Sequence, residues 1–434
     1  MSPLSLVSPP AEPSIDPAGD ADTAFARLEV RACEAAARPW IAAHGGYTLA
    51  SHFQPIVSLA HGRVVGHEAL LRASDAEGQP VAPPRFFNVA DAHELLWRDR
   101  LARTVHAANY ARRALAEQWL FLNLHPQVFA QPQASKLDHF IARTAARFGL
   151  APHALVLEVL EDAVRDDADF DAAVALVRGQ GGLIALDDFG AGHSNFDRVW
   201  RLRPEIVKLD RSLVARSAAE PSARRVVTQM VSLLHECGAL VLMEGVETEA
   251  EAQFALEADV DLVQGWFFAR PQPELVAPDH ARASIDKLWL AFGDRWRGDE
   301  ARYRERVRPY RAAIAEAAAQ LAVGRPFDEA TQGFRALPRT ELCYLLDATG
   351  RQIGRNRPGA NAALASGAAF APVHDTRGAC WASRPYFRRA MAAVGTVQIS
   401  RPYRTLHGAH LCETASIAFR CADGTVRVVC GDFS

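Results

Sequence analysis

Residues 183–195 read LIALDDFGAGHSN: a short apolar run, two adjacent aspartates, then a loop broken by glycines. Neighbouring carboxylates repel, and burying either is costly unless a cation or hydrogen-bond donor compensates. An apolar run this short, stopped by turn residues, reads as a buried strand with charge at its end. Seven further runs share its character: SHFQPIVSL, VVGHEALLR, LFLNLHP, LVLEVLE, EIVKLD, LVLMEGVE and LVQGWFFA. Amphipathic stretches such as DRLARTVHAANYARRALAEQ, DFDAAVALVRGQG and ARRVVTQMVSLLHECG lie between them. Eight strands alternating with helices over about residues 47–272 predict an α/β fold, a TIM-like (β/α)8 barrel. The connection AHGR between the first two runs is too short for a crossover helix, so that pair is expected to be antiparallel.

In such a barrel the C-terminal strand ends converge on one mouth, where chemistry sits. Here those ends are acidic. The second run ends at Glu68, the third at Asn123, the fourth at Glu158, and the fifth at Asp187 and Asp188. Lys208 and Asp210 close the sixth, Glu244 and Glu247 the seventh, and the eighth carries Gln264. One glutamate after a strand is an ordinary helix cap or surface ion-pair partner, and an Asp-Asp turn alone could cap the next helix. Seven carboxylates from five strands would instead raise one another's pKa values unless cations compensate. An all-oxygen set suits Mg²⁺ or Mn²⁺, and two such ions about 4 Å apart form the clamp used on phosphodiesters. Asp187 would reach inward to bridge them and Asp188 approach from the loop, with glycines allowing the tight turn that follows.

FQPIVSL, GHEALLR, FLNLHP, LEVLED, LDDFGAGHSN, VKLDRSLV, MEGVET and QGWFFARP together resemble the EAL family of cyclic di-GMP phosphodiesterases, over about residues 25–275. The resemblance implies a (β/α)8-like barrel with a reversed first strand, and hydrolysis of cyclic di-GMP to linear pGpG. It implies that Glu68, Asn123, Glu158 and Asp187 hold one metal, and Asp187, Asp188 and Glu244 the other. Lys208 would orient the attacking water, while Glu247 and Asp210 support the ions and their waters. Gln54, Leu71, Arg72, Gln264 and Pro271 would hold substrate, and Glu161 would steady the loop after Asp188. Whether Glu244 is also the general base stays open, since coordination and base roles overlap. His193 and Asn195-Phe196 depart from the usual loop, and Ala73 stands where a tryptophan is common. No acidic position is missing, which favours an enzyme over a catalytically silent cyclic di-GMP receptor or a barrel enzyme acting on another phosphorylated substrate.

Lysines and arginines number 48 against 51 acidic residues, so no global field draws a nucleic-acid polymer or an anionic membrane. No run is long and apolar enough to span a bilayer, and MSPLSLVSPPAEPSIDPAGDAD reads as a disordered tail, residues 1–22, rather than an export signal. Seven cysteines with no CxxC pair predict reduced, mostly buried thiols in a cytoplasmic protein. Cys343, Cys380, Cys412, Cys421 and Cys430 cluster towards the C-terminal end, where a redox or metal role is the alternative.

The barrel is expected over residues 23–278 and a helical linker over 279–323, interrupted near Gly293 or Gly298 and at Pro309. Residues 324–434 predict a smaller α+β domain with hairpins turning at ATG and ADG and a partly helical centre. That stretch resembles PAS-like or Cache-like sensor domains. The resemblance implies a pocket for an unidentified small molecule, with Trp381, Arg384, Tyr386, Arg401, Tyr403 and Asp432 as candidates, although each aromatic could equally be ordinary core. Barrels of the family commonly form homodimers, and the C-terminal domain would modulate activity through the linker.

Overall fold

The computed structural model describes residues 28–29, 39–113, 117–129, 142–166, 168–192, 196–360, 376–404 and 411–434. Eight strands make the barrel: β1 (Tyr47–Ser58), β2 (Arg63–Ser74), β3 (Trp119–Asn123), β4 (Leu155–Leu160), β5 (Leu183–Phe189), β6 (Ile206–Leu209), β7 (Leu240–Met243) and β8 (Leu262–Val263). They pair in chain order, and β8 returns to β1 with Leu262 opposite Ser58, which closes the sheet. β1 and β2 are antiparallel with Gln54 opposite Glu68, as the short AHGR connection requires. β8 also meets β1 antiparallel, whereas the pairs from β2 to β8 are parallel. The eighth run gives only a two-residue strand, because its backbone turns away after Val263.

Strand alternation sorts each run into two faces. Outward, Leu120 and Leu122, Leu157 and Val159, and Ile184 and Leu186 pack against Phe170, Val177, Val231, Leu234 and Phe254 of the surrounding helices. Each such buried side chain contributes about 1.5–3 kcal/mol relative to exposure. Inward, Ile56, Phe121, Val156, Ala185, Ile206, Leu242 and Leu262 form a separate apolar plug, one residue from each of seven strands. The remaining strand supplies Gly66, paired with Ile56, where a Cβ would stand 3.1 Å from the Phe121 ring and 2.8 Å from the Trp119 carbonyl oxygen. The missing side chain is what lets Phe121 fill the axis.

The helices that bear on the site are α1 (Ala92–Ala111), α2 (Ala168–Gly179), α3 (Phe196–Leu202), α4 (Arg211–Ala219), α5 (Pro221–Glu236) and α6 (Glu249–Glu257). After the barrel comes α7 (Arg282–Ala322), one helix of 41 residues. It runs unbroken through Gly293, Gly298 and Pro309, contrary to the interruptions expected there. Val307, Tyr310, Ile314 and Ala318 are buried in the second unit's core, and that packing outweighs the local penalty of roughly 1 kcal/mol for glycine and 3 for proline. The chain divides into two compact units, through Gly293 and from Asp294, so the division falls inside this helix.

The second unit is an antiparallel sheet of β9 (Thr340–Asp347), β10 (Gln352–Pro358), β11 (Gln398–Ile399), β12 (Tyr403–Arg404), β13 (Leu411–Arg420) and β14 (Val426–Phe433). Its spatial order is β10-β9-β14-β13-β11, with β12 also beside β13. The expected hairpins are β9–β10 and β13–β14. Cys343, Leu345, Ile417, Val429 and Phe433 face α7 residues, while Tyr344, Leu346, Val428 and Cys430 face α8 (Pro385–Ala392). Cys343, Cys412 and Cys430 are buried and unbridged, Cys380 is exposed, and no disulfide forms among the described residues. No described helix is long and apolar enough to cross a membrane.

Candidate active site

Two residues beyond each inward apolar side chain, on the same face of the same strand, the character changes to polar. Phe121 is followed by Asn123, Val156 by Glu158, Ala185 by Asp187, Ile206 by Lys208, Leu242 by Glu244 and Leu262 by Gln264. Gly66 is followed by Glu68, and on reversed β1 Gln54 precedes Ile56. The period of two therefore stacks a polar ring directly on the plug. It opens into a cavity of about 200 Å³ lined by Gln54, Glu68, Asp187, Lys208, Glu244, Glu247 and Gln264, together with Arg211 and Trp266.

Lys208 is the hub. Its side chain is 1 % exposed, and Nζ lies 2.5 Å from Glu158 Oε1, 2.7 Å from Glu244 Oε1, 3.0 Å from Asp187 Oδ1 and 3.9 Å from Glu68 Oε2. Burial opposes its charge, but these carboxylates hold its pKa well above the usual lysine value. Burial would also raise Glu68, yet Lys208 and hydrogen bonds from Gln264 and Asn123 bring it below the ordinary carboxylate range. Asn123 donates to Glu68 Oε1 at 2.8 Å, and Gln264 Nε2 donates to Glu68 Oε2 at 2.6 Å and to Gln54 Oε1 at 3.1 Å. Glu158 has no amide donor, and Lys208 reaches only its Oε1. Burial and the charge of Glu68 push it well above its usual pKa despite Lys208, and its Oε2 accepts no hydrogen bond. Burial raises Glu244 to about 8.

The paired aspartates are accommodated by a backbone irregularity. The strand does not stop at Asp187 but continues to Phe189, and its pairing with β6 shifts register between Leu186 and Phe189. Asp188 sits within that shift at φ +59°, left-handed space that aspartate tolerates better than most residues. Two consecutive side chains can then serve one site: oxygens of Asp187, Asp188 and Glu244 all lie within 4.8 Å of one another. Burial and the neighbouring Asp187 raise Asp188 above its usual pKa. Gly190 follows at φ +99°, where a Cβ would come within 2.3 Å of Leu213 on α4.

Divalent cations fit this set. Five carboxylates, Glu68, Glu158, Asp187, Asp188 and Glu244, surround one ammonium, and a buried Glu158 oxygen lacks any donor. The available donors are hard oxygens, the preference of Mg²⁺, Mn²⁺ or Ca²⁺.

Helix starts hold the flanking loops. Asp210 Oδ1 accepts from Ser212 N at 2.9 Å and caps α4, so its side chain is engaged locally beside the mouth. Thr248 and Glu251 form a capping box at the start of α6, and Glu251 also accepts from Glu247 N at 2.8 Å. That bond fixes the segment between Glu244 and α6. Glu161, buried after β4, lies 3.3 Å from Arg198 Nη1 on α3, the helix that follows the glycine loop. His193 and Asn195 lie outside the described residues.

The remaining substrate candidates are not in the mouth cavity. Arg72 follows Glu68 by four residues on the same strand face, and its Nη1 donates to the Leu71 carbonyl at 3.0 Å. Leu71 is packed with Ala73, Leu49 and Phe86 in a satellite core and also borders a second cavity that Glu68 and Asn123 share. Pro271 is half-buried beside β1. Sequence reading passed over Arg211 and Trp266, which do line the cavity. Trp266 is 49 % exposed with the Arg270 guanidinium 3.9 Å from its ring centre, and its signal was the same two-residue step, from Gln264. In the second unit Trp381, Arg384, Tyr386, Tyr403 and Asp432 line a common cleft, but Arg401 is exposed and does not.

A family model for the EAL domain matches residues 42–271. Among curated relatives, the cyclic di-GMP phosphodiesterase RocR of Pseudomonas aeruginosa is 29 % identical over 240 residues, 54 % of this chain and 60 % of that protein. The cyclic di-GMP phosphodiesterase NbdA of the same organism is 31 % identical over 244 residues, 54 % of this chain and 30 % of that one. The chain thus spans between about a third and three fifths of the relatives it matches. A crystal structure of the Bacillus subtilis YkuI protein, with an EAL domain, in complex with substrate c-di-GMP and calcium, superposes with a TM-score of 0.73. It covers 89 % of this chain and 94 % of that one at 20 % identity, a likeness of fold that extends beyond the barrel. With the family model spanning more than half of its length, the chain belongs to the EAL domain family.

Proposed function

We propose that the chain hydrolyses cyclic di-GMP to linear pGpG with two divalent cations, Mg²⁺ or Mn²⁺, at the barrel mouth. The observation that carries this reading is the convergence of Asp187, Asp188 and Glu244 oxygens within 4.8 Å of one another, beside a buried Glu158 oxygen with no donor. Family membership and the names of RocR and NbdA support the substrate. Glu68, Asn123, Glu158 and Asp187 would hold one ion, and Asp187, Asp188 and Glu244 the other.

Bound there, the cations would offset the diester's charge and acidify a water. The chain's own groups supply the rest. Lys208 favours the ionised form of Glu68 and can donate an N–H to the incoming water. Glu244 borders the cavity within 4.8 Å of the Asp187 and Asp188 oxygens, a position from which it would hold an ion or accept the water's proton. The water oxygen bonds to phosphorus as one ester P–O bond breaks, and the departing ribose oxygen takes up a proton. Arg72 would pair with a phosphate oxygen, Gln54 and Gln264 would add amide contacts, and Glu161 would steady α3 through Arg198. The second unit, as a PAS- or Cache-like sensor, would modulate turnover in a cytoplasmic homodimer; its helix-covered antiparallel sheet supports that part.

The test is chromatography of cyclic di-GMP incubated with the full chain and Mg²⁺ or Mn²⁺, against Ca²⁺ and a chelator. pGpG should form with the first two and not with the last two. Tight binding without hydrolysis under every condition would replace the enzyme by a receptor.

A further inference from the structure

Trp266 and Arg211 line the mouth cavity beside the carboxylates, yet both are donor-only side chains that neither hold a cation nor take a proton from water. Trp266 stands on backbone that is tied down on both sides. Val246 N donates to the Gln264 carbonyl at 3.1 Å and Phe267 N to the Val246 carbonyl at 3.0 Å, so residues 264–267 lie against the turn that follows β7. Gly265 permits that approach: a Cβ there would stand 2.0 Å from the Val246 carbonyl oxygen. Phe268 N and Ala269 N then both donate to the Gly265 carbonyl. That tight turn brings Arg270 back over the indole, its guanidinium carbon 3.9 Å from the ring centre. The result is a large aromatic side chain, half exposed, held in one place at the rim of a polar cavity.

Arg211 opens α4, and its stem lies against Gly245, where a Cβ would come within 2.4 Å of the Arg211 Cβ. Its exposed guanidinium makes no hydrogen bond or ion pair among the described residues. Beside its carboxylates the cavity therefore offers one fixed aromatic face and one unengaged fork of N–H donors. A flat, π-rich group with two adjacent acceptors on one edge satisfies both. Guanine is such a group: its face stacks on an aromatic ring, and its neighbouring O6 and N7 take a bidentate guanidinium. Adenine stacks equally well but presents a donor at N6 where guanine has O6, so the same fork meets it badly. With Arg270 over one face of the indole, the base takes the other, and the cation on the far side adds to the attraction.

We propose that Trp266 and Arg211 form a base-selecting subsite at the mouth, with one guanine of the cyclic dinucleotide stacked on the indole and its O6/N7 edge held by the guanidinium. The assignment rests on the substrate reading above and adds to it the residues that choose guanine over adenine. Its test is calorimetric binding of cyclic di-GMP and of cyclic di-AMP to the full chain in Ca²⁺, so that no turnover is needed. Trp266→Ala should weaken both nucleotides about tenfold or more, because stacking accepts either base, and Trp266→Phe should recover most of the loss. Arg211→Met should weaken cyclic di-GMP about tenfold and leave cyclic di-AMP within about twofold. Both side chains are solvent-exposed, so each variant should keep the wild-type unfolding midpoint, which certifies the fold. Wild-type affinity in Trp266→Ala would overturn the stack. An equal loss on both nucleotides in Arg211→Met would move that residue to a phosphate and overturn the base assignment. Either result leaves the substrate reading standing, whereas a wild-type chain that binds neither nucleotide sinks both. Cyclic di-GMP bound but never hydrolysed, with the expected variant effects, supports the subsite and faults the enzyme reading alone.

Discussion

The barrel mouth and the C-terminal cleft both bury carboxyl groups, yet they dispose of the charge in opposite ways. At the mouth, four carboxylates crowd Lys208 within 4.0 Å and Asp188 adds a fifth nearby, more negative charge than one ammonium can offset. In the cleft a single Asp432 is surrounded by hydroxyls and carries a pKa near 7, so it sheds its charge by keeping a proton. A cluster too large to neutralise by protonation invites cations; an isolated acid does not. The difference lies in number and position, since strand ends bring several carboxylates together whereas one strand face supplies one.

The largest effect that would break this contrast is at Asp188. Asp188→Ala should reduce cyclic di-GMP turnover by about 10³-fold, the several kcal/mol that a held cation contributes, and wild-type rates by chromatography would remove the metal assignment. Next is the pH response of the second unit. Asp432 has a folded pKa near 7, above its unfolded value, so its contribution to stability is full below the unfolded pKa. That contribution is lost as pH rises through about 7, by an amount on the order of a few kcal/mol. Calorimetry from pH 5 to 8 should show the second unit's transition falling, and Asp432→Asn should flatten it. Divalent ions should act on the other unit: Mn²⁺ at a hundred times its Kd should stabilise the barrel by about 2.7 kcal/mol and leave the second transition in place. A shift of both transitions would erase the contrast. The smallest effect is Asp188→Gly, which should stabilise the barrel by up to about 1 kcal/mol in denaturant titration by relieving left-handed backbone, while abolishing turnover.

The ring of site residues was legible because it repeats one step: an apolar inward residue, then a polar one two positions on, in strand after strand. Where that step was weak, reading faltered. β8 keeps only Leu262 and Val263, so Trp266 was taken as part of the strand instead of a wall of the cavity. The continuity of α7 through Pro309 was not readable either, since the burial of Tyr310 and Ile314 against β strands more than twenty residues downstream outweighs local propensity. Asp188's left-handed backbone had a trace in the doubled aspartate, but the register shift against β6 is a property of two strands together. Arg401 was named among the pocket residues with Tyr403, but just before β12 it is exposed to solvent.

The reversed first strand has a consequence for when the mouth comes into being. Gln54 and Glu68 meet across a tight hairpin early in synthesis, but the bond that ties them to Gln264 joins residues 210 positions apart. Contacts of such separation form late, after the entropy of a long loop has been overcome. A nascent chain whose Gln264 is still inside the ribosome therefore has its acidic strand ends but an open seam between β8 and β1. Competence at the mouth arrives only with closure, after most of the first unit has already been made.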